Sequence, residues 1–220
     1  MKMENAFMIM TATTAKKRTE RAEKILTWLK TNYPDAGMIL NFSNNWELLV
    51  AVILSAQCTD KKVNEVTAKL FQKYKTLEDY IAADPQEFEQ DIFSTGFYKN
   101  KTKSILAAAC VVKEQFGGEI PRTMEEMLQI PGVARKTANV VLGNAYGVVE
   151  GIAVDTHVSR LAYILRLTNE KSPEKIEQDL MKLIPREDWF HATYLFIAYG
   201  RDYPRVRTRK DQNHPLAYFQ

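Results

Sequence analysis

The sequence is poor in cysteine, glycine and proline. Its 220 residues contain nine glycines, eight prolines and two cysteines, Cys58 and Cys110. Two thiols cannot form a framework of several disulfides, and they cannot supply the roughly four ligands of an all-cysteine zinc or iron–sulfur site. So little cysteine is typical of a protein that works in a reducing compartment.

Long apolar runs are also missing. The longest, WELLVAVILSA at residues 46–56, is roughly half the length of a membrane-spanning helix. Residues 1–18 contain an apolar run that is too short for a signal peptide, and no small-residue cleavage pattern follows it. We therefore expect an intracellular protein with no membrane partner.

Neither sign of charge predominates. The chain has 30 Lys and Arg against 27 Asp and Glu, a net charge of +3, so any basic surface must be local. One such region is GRDYPRVRTRK at residues 200–210. The composition, 45% hydrophobic and 26% charged, is typical of a folded chain with one large or two small domains.

Helix signals dominate the sequence. Capping residues and helix-initiating prolines mark starts near residues 44, 76, 84, 123 and 172. Apolar residues then recur at helical spacing in three stripes: Ala22, Ile25, Leu26 and Leu29; Val63, Val66, Leu70 and Tyr74; Ile105, Ala109, Val112 and Phe116. Only residues 152–154 (IAV) are strand-like, so we predict an all-α protein of about ten short helices.

The segment LQIPGVARKTANVVLG, residues 128–143, predicts two helices joined by a tight turn at Gly132, with the second helix beginning near Ala134. Arg135 and Lys136 then lie at a helix N-terminus, where the helix dipole disfavours cations. A polyanion bound to the first backbone N–H groups would explain this placement. From turn chemistry alone, an ordinary helical hairpin with two solvated cations is the favoured alternative.

Four ordered motifs carry a resemblance to a known family. They are LLVAVILSAQCTDKKVN (48–64), STGFYKNKTKSI (94–105), LQIPGVARKTANVV (128–141) and IAVDTHVSRL (152–161). Together they resemble the helix-hairpin-helix DNA glycosylases, most closely the endonuclease III group, over most of residues 38–200.

The resemblance implies a two-lobed all-α fold with the active site in the cleft between the lobes. One domain would comprise residues 38–148, with the hairpin at about 123–145. Both termini, residues 1–37 and 149–220, would form the second.

The resemblance also implies an activity. The family flips damaged pyrimidines out of duplex DNA, cleaves the glycosidic bond with a lysine and nicks the strand by β-elimination. That lysine matches Lys136, and a catalytic aspartate matches Asp155. A lysine nucleophile must be unprotonated, and a helix N-terminus and the neighbouring Arg135 both disfavour the ammonium form. Asp155 would accept the proton and support positive charge on the sugar; a plain helix cap, which Thr156 would serve equally, is the alternative.

Other family positions concern DNA binding. Gln57 matches the residue that fills the gap left by the flipped nucleotide, and Phe97 matches the wedge in the opposite strand. The alternative for Gln57 is an ordinary polar residue at a helix end, and the alternative for Phe97 is a loop aromatic packed on the core. The hairpin residues expected at the phosphates are Gly132, Ala134, Arg135 and Thr137. His157 is expected near the pocket unless it is a satisfied structural histidine, and Asp60 is expected to cap the next helix.

The chain departs from the family in two places. Ala134 replaces the second hairpin glycine, and we expect it in helical conformation. No cysteine follows YGRDYP, so we expect no iron–sulfur cluster and no metal. Arg205 and Arg207, with Arg209 and Lys210, would then supply charge toward the DNA, unless the tail is merely solvated. The resemblance also implies a monovalent cation bound by the hairpin carbonyls, as in relatives.

We therefore expect a glycosylase with AP lyase activity on oxidised pyrimidines. It would act as a cytoplasmic, nucleoid-associated monomer on double-stranded DNA that contains damaged pyrimidines or abasic sites. A mismatch glycosylase of the same fold is the first alternative, although those relatives usually lack the lysine. The second is a non-catalytic helix-hairpin-helix module, which would have no need of Lys136 and Asp155.

Overall fold

The computed structural model describes the backbone of residues 2–219 and the side chains of residues 16–219. Met1 and Gln220, which the predicted second domain includes, lie outside the described residues, as do the side chains of the opening apolar run. The helices are α1 (Lys2–Asn32), α2 (Asn45–Leu54), α3 (Asp60–Lys73), α4 (Leu77–Ile81), α5 (Pro85–Ile92), α6 (Tyr98–Phe116), α7 (Met124–Met127), α8 (Arg135–Tyr146), α9 (Thr156–Ile164), α10 (Pro173–Leu183) and α11 (Trp189–Asp202). Short 3-10 helices lie at Phe93–Thr95, Arg186–Asp188 and Pro215–Phe219.

The all-α prediction is confirmed, since residues 2–219 contain no strand. Helix α1, at 31 residues, is far longer than expected. The predicted helix starts are found, and Thr76 and Asp79 form a complete capping box. The prediction for Asp60 is wrong: Thr59 is the cap of α3 and accepts a hydrogen bond from the Lys62 N–H, while Asp60 is already the first helical residue.

The chain folds as two compact units. One comprises residues 38–150; the other comprises residues 1–37 and 151–220. In the first unit, α2 is buried along most of its length and packs against α3, α6 and α8. In the second, buried residues of α1, α9, α10 and α11 form a separate core. The stripes predicted from sequence are buried in these two cores, except that Phe116 is only partly buried.

No helix within residues 2–219 combines the length and the apolarity needed to cross a membrane.

Candidate active site

The hairpin lies in the unit of residues 38–150. Its turn is closed by a hydrogen bond of 3.1 Å from the Val133 N–H to the Ile130 carbonyl, and both of these side chains are buried. Gly132 has φ +81°, a conformation that L side chains rarely adopt. A Cβ at this position would lie 2.6 Å from the Cβ of Ser104, on α6. Glycine is therefore required here by backbone conformation and by close packing.

Helix α8 begins with two cations and no acidic residue. Ala134 precedes it with φ −100° and ψ 171°, an extended conformation, so the expectation that Ala134 is helical is wrong. Its φ is nevertheless negative, and alanine adopts it without strain. No side chain caps this helix, and its first turn contains Arg135, Lys136 and Thr137. The first N–H groups and the positive end of the dipole are thus available to an anion.

Asp155 lies in the other unit, at the start of α9. Its Oδ1 accepts a hydrogen bond of 2.8 Å from the Val158 N–H, so the side chain caps the helix as the alternative interpretation proposed. Among the described hydrogen bonds, none involves Oδ2. The cap therefore fixes the orientation of a partly buried carboxylate and leaves one oxygen for other chemistry.

His157 packs against α11 in the same unit. A Cβ on Gly200 would lie 2.6 Å from the His157 Nδ1, so the absence of a side chain at residue 200 makes room for the imidazole. This Nδ1 is buried and has no hydrogen-bond partner within the described part of the chain. His157 is therefore not a structural histidine whose Nδ1 is hydrogen-bonded within the described residues.

Sequence analysis missed Arg160, which connects α9 to the basic tail, residues 200–210. Its guanidinium donates to the carbonyls of Gly200 and Pro204, both at 2.8 Å. Burial lowers the pKa of Arg160, the positive charge of Arg207 lowers it further, and Asp155 opposes the shift. One cation thus lies in the electrostatic field of both Asp155 and Arg207.

Gln57 and Phe97 are exposed residues in strained turns. Their φ angles are +53° and +49°, in the left-handed region that non-glycine residues seldom occupy. Phe97 exposes 62% of its surface, which argues against a core-packing role, and it precedes α6 without a side-chain cap. Such conformations cost roughly 1–3 kcal/mol and cluster at functional sites.

A second missed residue, Lys101, is buried near these turns. It is 5% exposed, and its Nζ donates to the carbonyls of Leu54 and Thr95 at 2.8 Å each. Burial lowers the pKa of Lys101. A sequence signal existed: Lys101 lies four residues before Ile105, so the apolar stripe of α6, extended by one turn, points at it.

The basic tail is packed on its unit in part. Arg209 lies over the Tyr163 ring at 4.0 Å and donates to the carbonyls of Tyr163 and Thr168. Arg209 is therefore held against its unit and is not a freely solvated cation, and its contribution of charge toward the DNA stays a prediction. Arg205 and Arg207 are exposed, as a DNA-contacting role requires.

The residues of this chain do not fit a four-cysteine cluster. Both cysteines lie in the unit of residues 38–150, and none lies in the tail. Within the part of the chain that the structure describes, no group of three or more His, Cys, Asp or Glu side chains is placed to hold a metal ion.

An all-α fold that contains a glycine-turn hairpin with an uncapped, basic second helix is typical of helix-hairpin-helix proteins, the class that includes the DNA glycosylases of that name. The family model described as HhH-GPD superfamily base excision DNA repair protein matches residues 50–186. The chain belongs to this superfamily.

Comparisons with individual proteins place it near endonuclease III. Endonuclease III of Synechocystis sp. is 50% identical over 184 residues, 84% of this chain and 84% of the relative. That of Bacillus subtilis is 46% identical over 185 residues, again 84% of each. A solved structure of a trapped endonuclease III–DNA covalent intermediate matches with a TM-score of 0.86 and 41% identity, over 91% of this chain and 94% of the other. These matches confirm the expected fold and enzyme class, a base-excision-repair DNA glycosylase with AP lyase activity.

Proposed function

We propose that the protein removes oxidised pyrimidines from duplex DNA and cleaves the strand at the resulting abasic site, with Lys136 as the nucleophile. The observation that carries the proposal is the position of this lysine. It is the exposed second residue of α8, in a chain 50% identical to an endonuclease III. A related endonuclease III has been trapped as a covalent intermediate with DNA, as an amine nucleophile would allow. The mismatch alternative does not require this lysine.

DNA docks first through its phosphates. The N–H groups at the start of α8 bind a phosphate oxygen, and Arg135 and Thr137 contact the same strand. Gln57 fills the space of the flipped nucleotide, and Phe97 enters the opposite strand. Filling the gap offsets the few kcal/mol that unstacking costs.

Chemistry then takes place at C1′ of the flipped nucleotide. The neutral amine of Lys136 forms a bond to C1′ while the glycosidic bond breaks and the base leaves with the electron pair. Asp155 accepts the proton that the amine loses and stabilises positive charge on the sugar. Opening of the sugar ring gives a Schiff base, which acidifies the C2′ proton. Removal of that proton expels the 3′ phosphate, and hydrolysis frees Lys136.

The same proposal covers the contacts made by the basic tail, the position of His157, and the oligomeric state and cellular location of the protein. Arg205 and Arg207, exposed on the tail, neutralise backbone phosphates and so support affinity without an iron–sulfur cluster. His157 lines the pocket. The protein acts as a monomer in the cytoplasm at the nucleoid, where its duplex substrate would lie.

Borohydride trapping tests the proposal. The protein is incubated with duplex DNA that contains thymine glycol or an abasic site, and borohydride is added to reduce any Schiff base. A covalent adduct that is lost in Lys136→Gln and kept in Lys69→Gln, an exposed lysine of α3, is the expected result. Base release that survives Lys136→Gln would favour the mismatch alternative, and tight binding without trapping or nicking would favour a non-catalytic module.

A further inference from the structure

Lys101 has an unusual environment for a lysine. It is 5% exposed, and the described contacts of its Nζ are two backbone carbonyls, with no carboxylate among them. Lysine is rarely buried without a partner, because desolvation of the ammonium is expensive. The hydrogen bonds of Lys101 must therefore offset a desolvation free energy that an apolar residue on the same helix face would not incur.

Each of the two carbonyls lies at the end of a helix, just before a turn proposed to face DNA. The first turn contains Gln57 and the second contains Phe97. Leu54 is the last residue of α2, and its carbonyl is one of the four that a helix end leaves without an intrahelical partner. A cation also complements the negative end of the helix dipole. Thr95 ends the short 3-10 helix before the second turn. The Lys101 Nζ thus donates hydrogen bonds to the last residues of two separate helices.

These two helix ends lead directly to the residues proposed to enter the duplex. Gln57 follows Leu54 by three positions, and Phe97 follows Thr95 by two. The backbone N–H of Lys101 itself donates to the Phe97 carbonyl at 3.1 Å. Lys101 is therefore bonded to both turns, through its side chain to each and through its backbone to one.

The same stretch of α6 also contacts the hairpin. Ser104, one helical turn after Lys101, is the residue against which Gly132 packs. The first two turns of α6 are thus a common support for three segments, the turns at Gln57 and Phe97 and the hairpin.

We propose that Lys101 is a positioning residue, which holds the turns of Gln57 and Phe97 in one fixed arrangement so that both side chains enter the duplex together. The proposal rests on the function proposed above. It explains why two non-glycine residues keep left-handed backbones: a shared tie at each chain end compensates for the strain in both turns. It also makes the contributions of Gln57 and Phe97 to binding interdependent.

A double-mutant cycle measures that interdependence. The probe is a duplex with a tetrahydrofuran abasic-site analogue opposite 2-aminopurine, whose fluorescence reports unstacking of the opposite base. Affinity and fluorescence are measured for Gln57→Ala, Phe97→Ala and the double variant, in the wild-type and Lys101→Met backgrounds. We expect Lys101→Met to weaken binding to the analogue on the order of tenfold, the equivalent of one lost charged hydrogen bond. Binding to undamaged duplex, which depends on phosphate contacts, is expected to change little.

The decisive comparison is between the affinities lost to the alanine substitutions in the wild-type background and in the Lys101→Met background. With Lys101→Met, the separate effects of Gln57→Ala and Phe97→Ala are expected to shrink, because neither side chain is held where it binds. Lys101→Arg retains donors and is expected to restore part of the loss. If each alanine variant costs as much in the Lys101→Met background as in the wild type, Lys101 does not position them and the proposal is overturned.

Two controls separate positioning from stability and from catalysis. Val112→Ala removes buried volume from the same helix, far from both turns; an equal loss of binding by this variant at a matched fall in melting temperature would also overturn the proposal. Should Lys101→Met fail to fold, Lys101→Gln, which is uncharged but retains an NH2 donor group, serves in its place. Failure of borohydride trapping by the wild type would instead count against the proposed function, because the cycle depends on binding alone.

Discussion

Gly132 and Ser104 approach each other so closely that a Cβ on residue 132 would lie 2.6 Å from the Ser104 Cβ. Such a distance is well inside van der Waals contact, so the hairpin turn and α6 fit together only because residue 132 has no side chain. The turn that precedes the first N–H groups of α8, the proposed phosphate site, is thereby fixed by packing as well as by its backbone conformation.

Substitution of Gly132 tests this contact. Gly132→Ala is expected to lower the free energy of unfolding by roughly 2–4 kcal/mol, from the positive φ and the clash together. Gly147→Ala is the matched control: its φ is +66°, but no atom lies within 4 Å of the added Cβ. Urea denaturation of both variants isolates the packing contribution. Equal losses would mean that the contact with Ser104 has no energetic role.

The helix cap made by Asp155 and its proposed catalytic role are separable by chemistry. Asn at this position retains an oxygen acceptor for the Val158 N–H, so Asp155→Asn is expected to keep the stability of the protein but to lose the carboxylate. Its single-turnover rate should fall by about 10²–10⁴, the range for a general base. Asp155→Ala should lose the rate and also about 1 kcal/mol of stability, because the cap is gone. Full activity of a stable Asp155→Asn protein would contradict the catalytic assignment.

Local signals predicted much of the fold. Thr76, Asp84 and Ser172 mark helix starts because capping depends on residues only two or three positions away. The apolar stripes predicted burial because helical period alone decides which face is apolar. Thr59 instead of Asp60 as a cap shows the limit: boundaries shift by one residue when two neighbours have similar capping chemistry.

The candidate site was less predictable because it depends on long-range contacts. Lys101 bonds the Leu54 carbonyl, 47 residues away in sequence, and Arg209 bonds the Thr168 carbonyl, 41 residues away. No local pattern specifies such partners: the apolar stripe of α6 indicates that Lys101 is buried, but not which carbonyls it binds. A cation at a helix N-terminus indicated an anion site near Lys136, but the catalytic roles predicted for Lys136 and Asp155 came from motif order.

Arg209 is expected to matter for stability rather than for DNA affinity. Arg209→Ala removes the contact with the Tyr163 ring and the hydrogen bonds to Tyr163 and Thr168, which should cost about 1–3 kcal/mol. Arg209→Lys keeps the charge but not the planar fork, and should recover little. Lys210→Ala, an exposed neighbour, is the control. Unfolding by urea and limited proteolysis of the tail provide the measurement, and unchanged values for Arg209→Ala would show that the packing is not stabilising.

Arg207 should behave in the opposite way. It is exposed, so Arg207→Ala is expected to leave unfolding unchanged while it weakens binding to damaged and undamaged duplex alike. The slope of log affinity against log salt concentration should decrease in magnitude by about 1, as for the loss of one phosphate contact. Lys175→Ala, an exposed lysine of α10, serves as the charge-matched control. An unaltered salt slope would remove Arg207 from the DNA interface.

His214 is expected to make the stability of the protein depend on pH. Its imidazole is buried, and its Nδ1 lies 2.6 Å from the Tyr199 hydroxyl oxygen. Burial lowers the pKa of His214 below its ordinary value of about 6.5, although the neighbouring Asp211 opposes the shift. The unfolded chain therefore binds the proton more readily than the folded one, so stability is complete above about pH 6.5 and declines as the pH falls toward the folded pKa. Melting temperatures measured from pH 7.5 to 5.5 should fall less steeply in His214→Gln, which cannot gain the charge, and an identical pH dependence in the two proteins would show that His214 does not titrate on unfolding.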